Sequence, residues 1–208
     1  MSLCLLIDRQ IRLEHIISFA DAIFAFSITF MAISIHIPEI AQNLTQAQVI
    51  DKLLESIPEF EIYVLSFFVI GLYWVAYHQI FNHIVGPHST VTWLTIVFLF
   101  FITLIPLATN LQIGFGQYQI VFILYALVLA IAGSLQTIIW IYATKNKSID
   151  KDLNQIEVQS ISAESILPPV VFLLSILVSI IDLQTAYYFW IIIIPVKIVL
   201  RKRYHSNN

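Results

Sequence analysis

The chain has 208 residues, of which 59% are hydrophobic and only 11% charged, with a mean hydropathy of +0.88. A soluble domain carries about 25% charge, so most of this surface faces something other than water. A net charge of −3 argues against a nucleic-acid partner, and the single cysteine, Cys4, cannot close an internal disulfide.

A secretory leader is not expected. Met1 to Leu6 is too short for the apolar part of one, and Asp8, Arg9, Arg12 and Glu14 follow it. A helix needs about 20 apolar residues to cross a hydrocarbon core about 30 Å thick. The sequence predicts six such spans, near 16–37, 60–83, 90–110, 119–144, 165–181 and 186–200, within one all-α unit covering 1–208. Barrel strands are not expected, because the runs do not alternate. Between the first two spans, Thr45 and Gln48 have capping-box spacing. Val49, Ile50, Leu53, Leu54 and Ile57 then recur at helical spacing, predicting an amphipathic surface helix over 46–57. The linker 145–164 reads as a solvated connector, and Pro168 and Pro169 as first-turn residues of the fifth span. Pro106 and Pro195 are placed to kink their helices, and Asp182–Thr185 joins the last two spans as a tight hairpin.

Orientation follows from lysine and arginine placement. With six crossings, both termini and the second and fourth loops share one side. That side carries nine of the ten basic residues, Lys52 being the exception. Both termini are therefore expected in the cytoplasm, and so strong a bias suits a bacterial inner membrane.

Metal-ligand clusters, phosphate-binding glycine loops and nucleophile elbows are absent from the sequence, and the six histidines are scattered. The expectation is no enzyme, no cofactor and no resident metal. A TVGYG-type filter and the arginine ladder of a voltage sensor are missing too. In the first span, Ala22, Phe26, Thr29 and Ile33 share one helical face, with Phe30 at its edge. That pattern suits close helix packing. It also suits a narrow pore built from several copies and gated by dewetting. Asp21, a carboxylate within the span, is a functional candidate because burying charge in a membrane is costly. It is equally a group that fixes packing, with His78, Trp74, His15 and Arg12 as candidate partners. Tyr77, His83 and His88 read as interfacial groups.

The first span reads Phe19-Ala20-Asp21 and then Phe24-Ala25-Phe26-Ser27-Ile28-Thr29. The second holds Tyr73-Trp74 and His78, and the third Phe101-Ile102-Thr103-Leu104-Ile105-Pro106-Leu107-Ala108-Thr109. In this order the three motifs resemble those of the endolysosomal potassium channel family, transmembrane protein 175, especially its prokaryotic members: R-x-x-x-F-S-D with F-A-I-A-x-T, Y-W-x-x-H, and F-I-x-L-I-P-x-x-T. The likeness covers roughly residues 12–110. The resemblance implies a homotetramer of six-helix subunits, with the first helices lining a central pore for potassium or other monovalent cations. It assigns the constriction to Phe26, with Phe30 and Ile33 as further apolar rings and Thr29 as the ion-coordinating hydroxyl. It gives Asp21, Trp74 and His78, with Phe19, His15 and Arg12 beside them, to a structural polar network. The chain departs from the family pattern at His15, where arginine is usual, at Ala20 for serine, and at Phe26 for a smaller aliphatic. Two other functions are compatible with the sequence: a proton-coupled transporter using Asp21 and His78, and a non-conducting membrane scaffold.

Overall fold

The computed structural model describes residues 13–33, 45–86 and 89–205. Cys4, Arg9, Arg12, the end of the first predicted span towards Ile37, and His88 lie outside the described residues. The elements are α1 (Leu13–Ile33), α2 (Gln46–Glu55), α3 (Ile57–Phe81), α4 (Ser89–Phe115), α5 (Gln119–Lys145), α6 (Gln155–Ile181), α7 (Leu183–Tyr188), a 3₁₀ turn (Phe189–Ile192) and α8 (Ile193–His205). Among the described residues, six segments are long and apolar enough to cross a membrane: α1, α3, α4, α5, α6, and the sixth running over Leu183–Arg203. Helices are the expected solution in lipid, because each peptide group bonds within its own segment.

Local chemistry sets the ends. Thr45 and Gln48 form the expected capping box at the start of α2, whose apolar face is exposed at Ile50, Leu53 and Leu54. The fifth span begins earlier than the sequence reading placed it. Asn154 Oδ1 accepts from Glu157 N at 2.8 Å, and Glu157 Oε2 accepts in turn from Asn154 N at 3.1 Å. This second capping box starts α6 at Gln155, so the inner linker is mostly helix, and Pro168 and Pro169 stand mid-helix instead of in a first turn. A proline leaves the carbonyl four residues earlier without its helical donor. For Pro169 that carbonyl is Ser165 O, and Thr137 Oγ1 on α5 donates to it at 2.7 Å. Gly133, one turn before Thr137, permits the approach: a Cβ there would lie 2.9 Å from Pro169 Cδ.

The hairpin before the last span tightens to one residue. Asp182 caps α7, its carboxylate accepting from Thr185 N at 2.6 Å. The sixth span changes to a 3₁₀ turn over Phe189–Ile192, immediately before α8, in whose first turn Pro195 sits. Helix α4 continues through Pro106.

α4, α5 and α6 pack in sequence, α1 lies against α3 and α4, and α8 packs on α6. The core is apolar and aromatic, with Phe24, Tyr77, Phe98, Phe122, Tyr125 and Trp140 among its largest fully buried side chains. Tyr77 is therefore no interfacial group: its ring stacks on Phe81 and Phe98, with centroids 4.1 and 6.0 Å away. Two loops meet at one end of the bundle. Lys147 takes a left-handed φ of 53° after α5, turning the chain so that Ile149 bridges Ile84 in antiparallel sense. Val85 N donates to Ser148 O at 2.8 Å and Asp150 N to His83 O at 2.9 Å. The His83 ring faces Trp140 at 6.5 Å.

Candidate functional site: the first helix and its anchor

α1 has two unlike faces. Ile16, Ala20, Phe24, Ser27 and Met31 are buried, the i, i+4, i+8 repeat of a packed helix. Phe24 meets Tyr77 and Phe98, each at 6.0 Å. The opposite face is bare in the single chain: Phe26 is 62% exposed, Phe30 46% and Ile33 82%. Ala22 and Thr29 lie on the same bare face. The four residues that the helical repeat groups together are thus left uncovered together. Phe26 and Phe30, one turn apart, stack at 5.7 Å.

Thr29 has a definite orientation. Its hydroxyl donates to Ala25 O and Phe26 O, both at 3.0 Å. With the proton turned to the helix backbone, the oxygen keeps acceptor lone pairs on the exposed face.

Asp21 ties this helix to α3. Trp74 Nε1 donates to Asp21 Oδ1 at 2.8 Å, and His78 Nε2 lies 2.7 Å from the same oxygen. Trp74 and His78 are one turn apart on α3, their rings 4.7 Å from centroid to centroid, so both reach one carboxylate. The pair is accessible, with side-chain exposure of 27% for His78 and 43% for Asp21. Of the other residues expected in this network, His15 and Phe19 are exposed, and the described hydrogen bonds of Asp21 go to Trp74 and His78. Arg12 lies outside the described residues.

A second polar set ties together the helices beside α1, a pairing the sequence does not single out. Ser66 Oγ and Tyr125 Oη are 2.6 Å apart, and Thr109 Oγ1 donates to Ser66 Oγ at 3.0 Å. This buried group joins α3, α4 and α5. One face-length away, Tyr73 Oη donates to Leu129 O and Gln136 Nε2 to Tyr73 O. Polar residues inside apolar runs were its sequence signal, but their pairing across helices has no local signature. Among the described residues no cluster of three or more His, Cys, Asp or Glu could hold a metal.

Residues 15–106 match the model of the family described as endosomal/lysosomal potassium channel TMEM175. A potassium channel of Chryseobacterium sp. (strain P1-3) is 30% identical over 99 residues, covering 48% of this chain and 46% of that protein. One of Streptomyces collinus (strain DSM 40733 / Tue 365) is 30% identical over 94 residues, 44% of this chain and 43% of that protein. The matched stretch thus spans less than half the length of these curated relatives. In fold the likeness is wider. The crystal structure of a lysosomal potassium-selective channel TMEM175 homolog from Chamaesiphon minutus has a TM-score of 0.76 at 20% identity, covering 92% of this chain and 97% of that one. A variant of the potassium channel MtTMEM175, crystallised with a nanobody fusion, gives 0.63 at 20% identity, covering 96% and 95%.

Proposed function

We propose that this chain belongs to the TMEM175 family, whose model residues 15–106 match and whose fold it shares, and that it forms a potassium-permeable cation channel from four copies of one membrane domain. The observation that carries the proposal is the two-faced first helix. Its buried face is fixed to α3 and α4, while its other face is an uncovered stripe of Phe26, Thr29, Phe30 and Ile33. One such helix encloses nothing; four around an axis enclose a narrow path. Both termini lie in the cytoplasm of a bacterial inner membrane in this reading, as the basic bias supports.

Conduction is passive. Phe26 rings form the main constriction, where water is excluded unless the rings part. Phe30 and Ile33 add further apolar rings. Thr29 oxygens stand between the Phe26 and Ile33 rings and replace part of a cation's hydration shell. No protein ligand holds the ion permanently, and no cofactor takes part. The Asp21–Trp74–His78 anchor sets the height and rotation of α1, and so the register of the rings.

The contact of Asp21 with His78 also favours a second reading, a proton-coupled transporter. Coupling is the discriminator: a pH gradient would drive substrate uphill, and Asp21→Asn would abolish that drive in a folded protein. Planar-bilayer recording tests the channel reading. Phe26→Ala should raise unitary conductance or open probability, and Thr29→Val should alter the potassium-to-sodium permeability ratio. Unchanged pore properties in both variants would remove Phe26 and Thr29 from the conduction path.

A further inference from the structure

We infer that the crevice between α3 and the broken sixth span is a binding site for an anionic phospholipid of the leaflet at the basic end of the bundle. The proposal concerns a surface away from the α1 stripe and does not rest on channel activity.

The crevice lies beside the interruption of the sixth span. The 3₁₀ turn changes the helix type within that span, and α8 packs chiefly on α6. An apolar cavity of about 90 Å³ remains, walled by Leu65, Leu72 and Ala76 on one side and by Trp190 and Ile194 on the other. It continues into a wider one of about 610 Å³, with Leu65, Phe68 and Ile191 lining both.

Length and charge identify the occupant. Along α3, Leu65 to Ala76 rises about 16 Å at 1.5 Å per residue. Half of a hydrocarbon core of about 30 Å is about 15 Å, so the inner cavity is one acyl chain deep. Its polar end carries Lys197, which lines the cavity. Arg201 follows one turn further along the same face of α8, with Lys202 and Arg203 beyond. The opposing acid is Glu164 on α6, one turn from the lining residue Pro168. It is only 7% exposed and pairs weakly with Arg201 at 3.5 Å, while also accepting from Ser160. Among the described residues Lys197 is in no ion pair. A part-open apolar groove running the depth of one leaflet and ending at a lysine on a flexible stem suits an acyl chain lying along it, partly inserted and partly facing the bilayer, with a phosphate above it. Lys197 can extend to the headgroup level as lysines near helix ends do.

Native mass spectrometry of the delipidated full-length protein tests this. It is titrated with phosphatidylglycerol or phosphatidylcholine bearing identical acyl chains. The wild type should retain phosphatidylglycerol preferentially, and Lys197→Gln should weaken it about fivefold, the effect of one lysine near an anionic headgroup. Lys202→Gln removes the same charge from an exposed position and should leave retention nearly unchanged. Ala76→Trp fills the slot and should reduce retention of both lipids. Equal retention of the two lipids by the unaltered protein overturns the proposal, whatever the variants do. So does an equal loss in Lys197→Gln and Lys202→Gln, which means diffuse attraction. A change of oligomer size in Ala76→Trp without loss of lipid points to a second copy in the crevice and overturns it too.

Discussion

Asp21 is a carboxylate with two donors on one oxygen, and its energetic role is modest because the pair is part-exposed. A partly screened, charge-assisted contact contributes about 1 kcal/mol, less than a fully buried one would. Asp21→Ala should therefore lower stability by about that amount, and Asp21→Asn by less, since an amide oxygen still accepts from Trp74. Thermal unfolding in mild detergent, followed by size exclusion, reads the order. If Asn were as damaging as Ala, charge and not hydrogen bonding would hold α1. Asp182 offers a pH test outside the spans. Bonds from the Thr185 hydroxyl and backbone N–H depress its carboxyl below the usual carboxylate range. The depressed value means the cap is stabilising at neutral pH and is lost as pH falls through it. Hydrogen exchange over Leu183–Tyr188, corrected for intrinsic rate, should therefore rise in acid relative to the rest of the chain. Asp182→Asn should flatten that response.

At the scale of elements, the α5–α6 contact depends on Gly133 and Thr137 acting together on a proline. An alanine Cβ at 133 would meet Pro169 Cδ at 2.9 Å and Tyr73 Oη at 3.1 Å, whereas one at Gly71 meets nothing within 4 Å. Gly133→Ala should then destabilise by about 1–3 kcal/mol through overpacking. Gly71→Ala should be neutral or stabilising by up to about 1 kcal/mol, from helix propensity. Thr137→Val leaves Ser165 O without its donor and should cost about 1–3 kcal/mol. Melting temperatures of the three variants check the signs, and a stable Gly133→Ala would mean that α6 can shift at Pro169. These contacts also mark what the sequence could and could not tell. The apolar runs, the Thr45 capping box and the 3.6-residue stripe of α1 are local patterns, and they were legible. Asp21 reads as needing donors, with His78, Trp74, His15 and Arg12 as candidates; the structure brings Trp74 and His78, which share a helix face, to it, while His15 is exposed. The Asn154–Glu157 capping box is equally local and starts α6 at Gln155, ahead of the first turn that Pro168 and Pro169 suggest. The Thr137–Ser165 bond, the Ser66–Thr109–Tyr125 group and the Ile84–Ile149 bridge join distant residues. Their formation depends on helix rotation and approach, which composition and periodicity do not encode. Tyr77 belongs with them: its polar tip suggests an interface, but helix rotation turns the ring into the Phe24–Phe98 core.

For the whole molecule, the bridge between the second and fourth loops puts both at one end of the bundle. Lys145, Lys147 and Lys151 adjoin it, and Arg201 meets Glu164 near the same end. An even number of crossings and a single basic end are mutually consistent. The bare stripe of α1 then becomes the central question, since a membrane protein can turn such a face to lipid or to its own copies. The proposed channel needs the second. Reconstitution into potassium-loaded liposomes asks the question most directly: a protonophore is added, and proton uptake driven by potassium efflux is followed, with sodium replacing potassium in a parallel set. The account predicts downhill flux that is faster with potassium than with sodium and needs no pH gradient to drive it. No flux of either ion from a folded, oligomeric preparation would contradict it.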